Sequence, residues 1–210
     1  MTFNRVKRII GLLASGRFDY IRYAIWVRLH GLDFAPVSLE HLNLSPARSV
    51  HHSSSGGAYL AHVLSCIAIP RRSRALDLGS GKGGAVCTMA EFSFQEVMGV
   101  ELSERLVCTA EANARHLGLK HVHFLCLDAG RFVDLDRFTH IYMFNPFPHS
   151  VTKEVMENLA ASLARAPRAL TLIYRYPVCD DVIMNSGLFR RDVTQTFPFL
   201  HSFNIYLHDV

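Results

Sequence analysis

The chain has little from which to build a disulfide framework, a membrane span or a nucleic-acid surface. Its five cysteines, Cys66, Cys87, Cys108, Cys126 and Cys179, form an odd set with no C-x-x-C pair. That pattern reads as buried free thiols in a reducing compartment, not as a stapled secreted module. A transmembrane helix needs roughly 20 apolar residues, and the nearest candidate, Ala58 to Ile69, is interrupted by His62 and Ser65. Arg5, Lys7 and Arg8 ahead of a short apolar run imitate a secretory signal, but Arg17 closes that run too early. The expected location is cytoplasmic. Charge of one sign is scarce as well. The 22 Lys and Arg against 18 Asp and Glu leave a formal +4, short of the basic field of a nucleic-acid-binding module.

What is present is apolar. Half of the 210 residues are hydrophobic and 19% are charged, which excludes disorder and supplies one sizeable core. That length fits one domain with an added segment. Residues 1–55 read as this segment. Val6, Ile9, Ile10 and Leu13, then Ile21, Ala24, Ile25 and Val27, recur at roughly helical spacing, with arginines and Lys7 on the other side. Packing on the main domain, a membrane-surface or acidic-partner role, and a subunit contact in a homodimer are all open readings of it. Between Gly31 and Ser55 the Pro, Ser, His and Asn content reads as a loop.

Residues 56–210 alternate helix and strand. Helical stretches are expected at Gly56–Ile67, Gly83–Phe92, from a Ser103 cap to Gly118, and at Thr152–Arg165. Strands are expected at Arg74–Leu78, Glu96–Val100, His121–Cys126, Thr139–Phe144 and Ala169–Tyr174. Such alternation gives a parallel sheet covered on both faces by helices. Two final strand-like runs, Phe189–Thr196 and Phe203–His208, are too close together to be parallel, so they form an antiparallel pair.

The chemistry concentrates at strand ends. Asp77-Leu78-Gly79-Ser80-Gly81-Lys82-Gly83-Gly84 ends a strand, turns through glycines and opens a helix. Such a turn admits close approach of a ligand to free N–H groups. Glu101, twenty residues after Gly81, ends the second strand, where an acid can accept from both hydroxyls of a ribose. Asp128, after the third strand, is placed to take an adenine amino group. Gly79, Gly81 and Gly84 also satisfy G-x-G-x-x-G, so an NAD(P)-dependent oxidoreductase is a rival reading. A non-catalytic adenosyl-cofactor binder acting through a partner is another. The P-loop spacing fails, because Gly83 follows Lys82. Against the dinucleotide, no second mononucleotide half follows, and a terminal antiparallel pair is foreign to that fold. His121 and His123 alternate on one strand, but no third ligand joins them, so no metal site is expected.

The stretch Asp77 to Gly83 resembles the first motif of the class I S-adenosylmethionine (SAM)-dependent methyltransferases, E/D-x-G-x-G-x-G. The resemblance spans about Gly56 to Val210. It implies a Rossmann-like three-layer α/β sandwich whose mostly parallel seven-stranded sheet ends in an antiparallel strand. It also implies SAM as cofactor, with S-adenosylhomocysteine as product, and an acceptor that is a small molecule or an amine on a larger substrate. The cofactor residues it implies are Asp77, Gly79, Ser80, Gly81, Gly83, Glu101, Leu102, Asp128, Ala129 and Asn145. Asn145-Pro146-Phe147-Pro148 resembles the acceptor motif of amine methyltransferases, Asn/Asp-Pro-Pro-aromatic, with the third and fourth residues exchanged. In that reading Asn145 and the Pro146 carbonyl orient the acceptor and Phe147 faces the sulfonium by a cation–π contact. A structural alternative is a Pro-rich strand-to-helix turn. His149 is the best-placed base for a hydroxyl acceptor, with His51 and His52 behind it, though a surface histidine is the plainer reading. Tyr174, Arg175 and Tyr176 are expected to border the substrate pocket.

Overall fold

A parallel strand covered on both faces reads as a near-continuous apolar run, and the central strands do so apart from a few buried polar residues such as Asp77 and His140. In the computed structural model β1 (Arg74–Leu78) buries Ala75 and Asp77 on one face and Leu76 and Leu78 on the other. The structure describes residues 25, 27–42, 44–49, 56–197 and 201–210. The helical spacing read from Val6 to Val27 therefore lies mostly outside the described residues, apart from residue 25 and residues 27–29, which are helical. His51, His52 and the Pro-containing link at 198–200 lie outside them too.

Seven strands form one sheet in the order β3-β2-β1-β4-β5-β7-β6. After β1 come β2 (Glu96–Glu101), β3 (Val122–Cys126), β4 (His140–Phe144) and β5 (Leu170–Arg175), all parallel. β6 (Arg190–Phe197) and β7 (His201–His208) form the antiparallel pair, and β7 inserts against β5. Six strands thus run one way and the C-terminal strand runs against them.

Helices α1 (Ala58–Ser65) and α2 (Gly84–Met89) cover one face through Leu60, Val63, Val86 and Met89. α4 (His149–Arg165) and α5 (Asp180–Asn185) cover the other through Val151, Val155, Leu159 and Ile183. α3 (Glu104–His116) packs on β2 and β3, and the Ser103 hydroxyl caps it by accepting from the Leu106 N–H. α4 starts one turn earlier than the apolar spacing suggested, because Pro148 already sits at its N-cap. α5 is an element the periodicity did not reveal; six residues are under two helical turns.

The cysteines correct the expectation of burial. All five are free, but only Cys87 and Cys179 are buried. Cys66 caps the end of α1, Cys108 lies on α3's solvent side, and Cys126 ends the edge strand β3. Among the described residues no helix is long and apolar enough to cross a membrane.

Candidate active site

The strand order reverses between β1 and β4, and in open α/β sheets ligands bind at the carboxyl ends beside such a switch point. Here the two strand ends touch. A Cβ added to Gly79 would stand 2.3 Å from the Pro146 Cβ, so the glycine turn after β1 lies directly on the turn after β4. Gly79, Gly81 and Gly83 all have positive φ, at 82°, 54° and 79°, which an L side chain adopts only with strain. The turn is pinned to β2 by the Gly79 and Ser80 N–H groups, which donate to the Val100 carbonyl at 2.8 and 3.0 Å.

Glu101 stands where the glycine turn and β2 meet. Its Oε2 accepts from the Gly81 N–H and its Oε1 from the Ser103 N–H, both at 2.9 Å. Burial pushes its pKa up, and the backbone N–H groups of Ser103, Gly81 and Leu102 pull it partly back. Asp77, behind the turn, is pushed well up by burial first and by the Glu101 charge second. Among the described residues, Asp77 Oδ2 and the Ser80 hydroxyl are buried without a hydrogen-bond partner. The Ser80 hydroxyl points under β2, 2.6 Å from where a Cβ on Gly99 would stand.

A single cleft gathers Gly79, Glu101, Leu102, Asp128, Ala129, Pro146 and Phe147. Asp77, Ser80, Gly81 and Gly83 are buried in or beside the glycine turn and do not line the cleft. Asn145, next to the cleft, is held at φ 37°. His149 lies elsewhere: it opens α4, pairs with Asp181 at 3.3 Å, and lines a separate groove between α4 and α5. Tyr174 and Arg175 are buried, and neither they nor Tyr176 line the cleft. The Tyr174 hydroxyl accepts from the Cys179 N–H, while the Arg175 guanidinium stacks 4.3 Å over the Phe144 ring. Lys82, in the glycine turn, is ion-paired to Asp33 at 2.7 Å and anchors the N-terminal segment.

The loop reading of residues 31–55 missed part of the cleft. Leu39, Leu42, Leu44, Arg48 and Ser49 also line it. Arg48 donates from Nε to Asp128 Oδ2 and from both terminal nitrogens to Glu154, each at 2.8 Å. The leucine spacing within an otherwise polar stretch was the available signal.

Comparison with known proteins adds a domain match and a shared fold. Residues 75–169 match the family model described as a methyltransferase domain. A SAM-dependent methyltransferase from Aquifex aeolicus superposes with a TM-score of 0.57 at 18% identity, over 72% of this chain and 89% of that one. Magnesium protoporphyrin IX methyltransferase from Synechocystis PCC 6803, with bound SAM, gives 0.55 at 17%, over 72% and 76%. A tRNA (uracil-54, C5)-methyltransferase from Pyrococcus abyssi, in complex with S-adenosyl-L-homocysteine, gives 0.56 at 16%, over 72% and 37%. These identities speak for the fold and not for the acceptor. No curated protein matches the chain significantly in sequence. Residues 75–169 thus carry a methyltransferase domain, and the fold around them is that of the SAM-dependent methyltransferases.

The donor set fits that cofactor. SAM carries positive charge on its sulfonium and its amino group, and the cradle sets two acidic side chains, the buried Asp77 and Glu101, at the glycine turn, with Asp128 on the cleft wall. The pyrophosphate of a dinucleotide would bring negative charge to the same place.

Proposed function

We propose that the chain transfers a methyl group to an amine nitrogen, with the acceptor presented at Asn145 and Pro146. The observation that carries this reading is the contact between Pro146 and Gly79, which sets the acceptor turn on the cofactor turn. Bound SAM supplies a methyl carbon already activated by positive sulfur. What remains for the protein is to hold and aim the nucleophile. Asn145 and the Pro146 carbonyl offer oxygen acceptors for amine N–H groups, and Phe147 supplies a buried ring on the cleft wall.

The ionisable groups of the cleft favour an amine over a hydroxyl. The cleft's Arg48, Glu101 and Asp128 are all engaged in hydrogen bonds. A neutral amine needs only somewhere to lose its proton, whereas a hydroxyl needs a general base.

The test is labelled-methyl transfer from SAM into a library of amines and alcohols, followed by Asn145→Ala on the accepted compound. Turnover should fall at least about tenfold, while the S-adenosylhomocysteine dissociation constant moves less than about threefold, or ~0.6 kcal/mol. Transfer to hydroxyl acceptors alone, or wild-type turnover in Asn145→Ala, would overturn the acceptor assignment.

A further inference from the structure

The nucleoside cleft is roofed by a segment of the same chain. Residues 39–42 and 44–49 bring Leu39, Leu42, Leu44 and Arg48 into its lining. With this strap in place the remaining cavity is about 40 Å³. A water needs about 10–15 Å³ by this measure, so a few waters fit, whereas small-molecule sites run to several hundred Å³. An adenosyl group therefore cannot enter while the strap lies where it does.

Arg48 fastens the strap at its C-terminal end, while Arg105 donates to the His41 carbonyl at 3.4 Å near its start. The Arg48 fork spans Asp128, in the turn after β3, and Glu154, on α4, through three hydrogen bonds of 2.8 Å. The other oxygen of Asp128 accepts from the Gly130 N–H at 2.9 Å, so Arg48 takes up the remaining side of the acid expected to read adenine. Gly130 is shaped to this contact. A Cβ there would stand 1.9 Å from Glu154 Oε2 and 2.9 Å from an Arg48 terminal nitrogen. Its φ is not positive, so it is the clasp, and not the backbone, that calls for glycine.

We infer that residues 39–42 and 44–49 gate the cofactor site, with Arg48 as the positioning residue whose bond to Asp128 must open before the adenosyl group can bind. The strap's leucines then supply an apolar wall over the bound adenine. Closure in the free protein lowers the fraction competent to bind, and with it the apparent association rate. Asp128 and Glu154 both compete for Arg48 with water, since the Arg48 side chain is 30% exposed and Glu154 41%. Added salt loosens such a pair, so association should also speed up with ionic strength.

The inference rests on the adenosyl-cofactor reading, and two measurements keep their failures apart. The first is trypsin cleavage of the Arg48–Ser49 bond without ligand, because a clasped arginine cannot enter the protease pocket. Glu154→Gln removes one partner's charge, and Gly130→Ala pries the clasp without changing any charge. Both should be cut at least about fivefold faster than wild type, with Arg48→Lys showing an intermediate opening in the second assay because lysine lacks the fork. The second is surface plasmon resonance with S-adenosylhomocysteine. Association should rise about three- to tenfold in Glu154→Gln and Gly130→Ala, and dissociation should rise with it. Wild-type cleavage and wild-type association rates in both folded variants would overturn the gate and leave the methyltransferase reading standing. Failure of the wild type and every variant to bind would overturn both.

Discussion

Gly79 has two separate reasons to be glycine, and they can be measured apart. Its φ of 82° strains any L side chain, and a Cβ would strike Pro146 at 2.3 Å. Gly118, after α3, shares the positive φ, at 68°, but a Cβ there would meet nothing within 4 Å. Gly118→Ala should therefore cost about 1 kcal/mol, the strain alone, and Gly79→Ala about 2–5 kcal/mol in urea denaturation. Equal costs would mean that the two turns do not press on each other. Asp77 gives a prediction of opposite sign. Burial and the Glu101 charge raise its folded pKa, so its favourable contribution is full below the unfolded value and is lost as pH rises through the folded one. At neutral pH, Asp77→Asn should stabilise the free protein by about 1–3 kcal/mol, while its advantage disappears toward pH 4. The same variant should bind SAM more weakly, since the cradle loses an acid. A variant no more stable than wild type at pH 7 would show that the buried acid is satisfied.

At the scale of elements, α5 is held by one polar knot. Asp180, its first residue, accepts from the Tyr206 hydroxyl at 2.5 Å and from Asn204 Nδ2 at 3.0 Å, both on β7, and pairs with Arg191 on β6. Burial and the Asp180 bond push the Tyr206 pKa up, so the hydroxyl stays a donor across the ordinary pH range. Tyr206→Phe should cost about 1.5–3 kcal/mol, the range for a hydrogen bond to a charged group. Amide exchange should accelerate in α5 ahead of α1; uniform acceleration would contradict a local anchor. This knot also shows where the sequence stopped being readable. The strands announced themselves because a strand buried on both faces is apolar along nearly its whole length, and the glycine turn because positive φ calls for glycine. The short α5 has too few turns for a period to appear. The strap was legible only as a loop, since its partners, Asp128 and Glu154, are 80 and 106 residues away. Contacts of that separation leave no local pattern. Asp128 itself was legible as an acid at a strand end, but its pairing with Arg48 was not.

For the whole molecule, sheet order decides which nucleotide the glycine turn can serve. A dinucleotide fold continues the parallel sheet outward to a second nucleotide half. Here the strand beyond β5 is the antiparallel β7, with β6 outside it. The crevice beside β1 and β4 faces the carboxyl ends, and the acids that line it, Glu101 and Asp128, suit a cation better than a pyrophosphate. Binding to the folded state alone stabilises it by RT ln(1 + [L]/Kd), about 2.7 kcal/mol at a hundredfold excess over Kd. For a chain of 210 residues, with about 2–4 °C per kcal/mol, S-adenosylhomocysteine should raise the melting temperature by roughly 5–11 °C, and NAD at the same concentration by less than about 1 °C. Because Glu101 has both oxygens on backbone N–H groups, of Gly81 in the turn and of Ser103 after β2, Glu101→Gln should remove most of that shift and lower the unliganded midpoint as well. A midpoint that rises with NAD and not with S-adenosylhomocysteine would mean that the crevice at the switch point reads a dinucleotide despite the inserted strand.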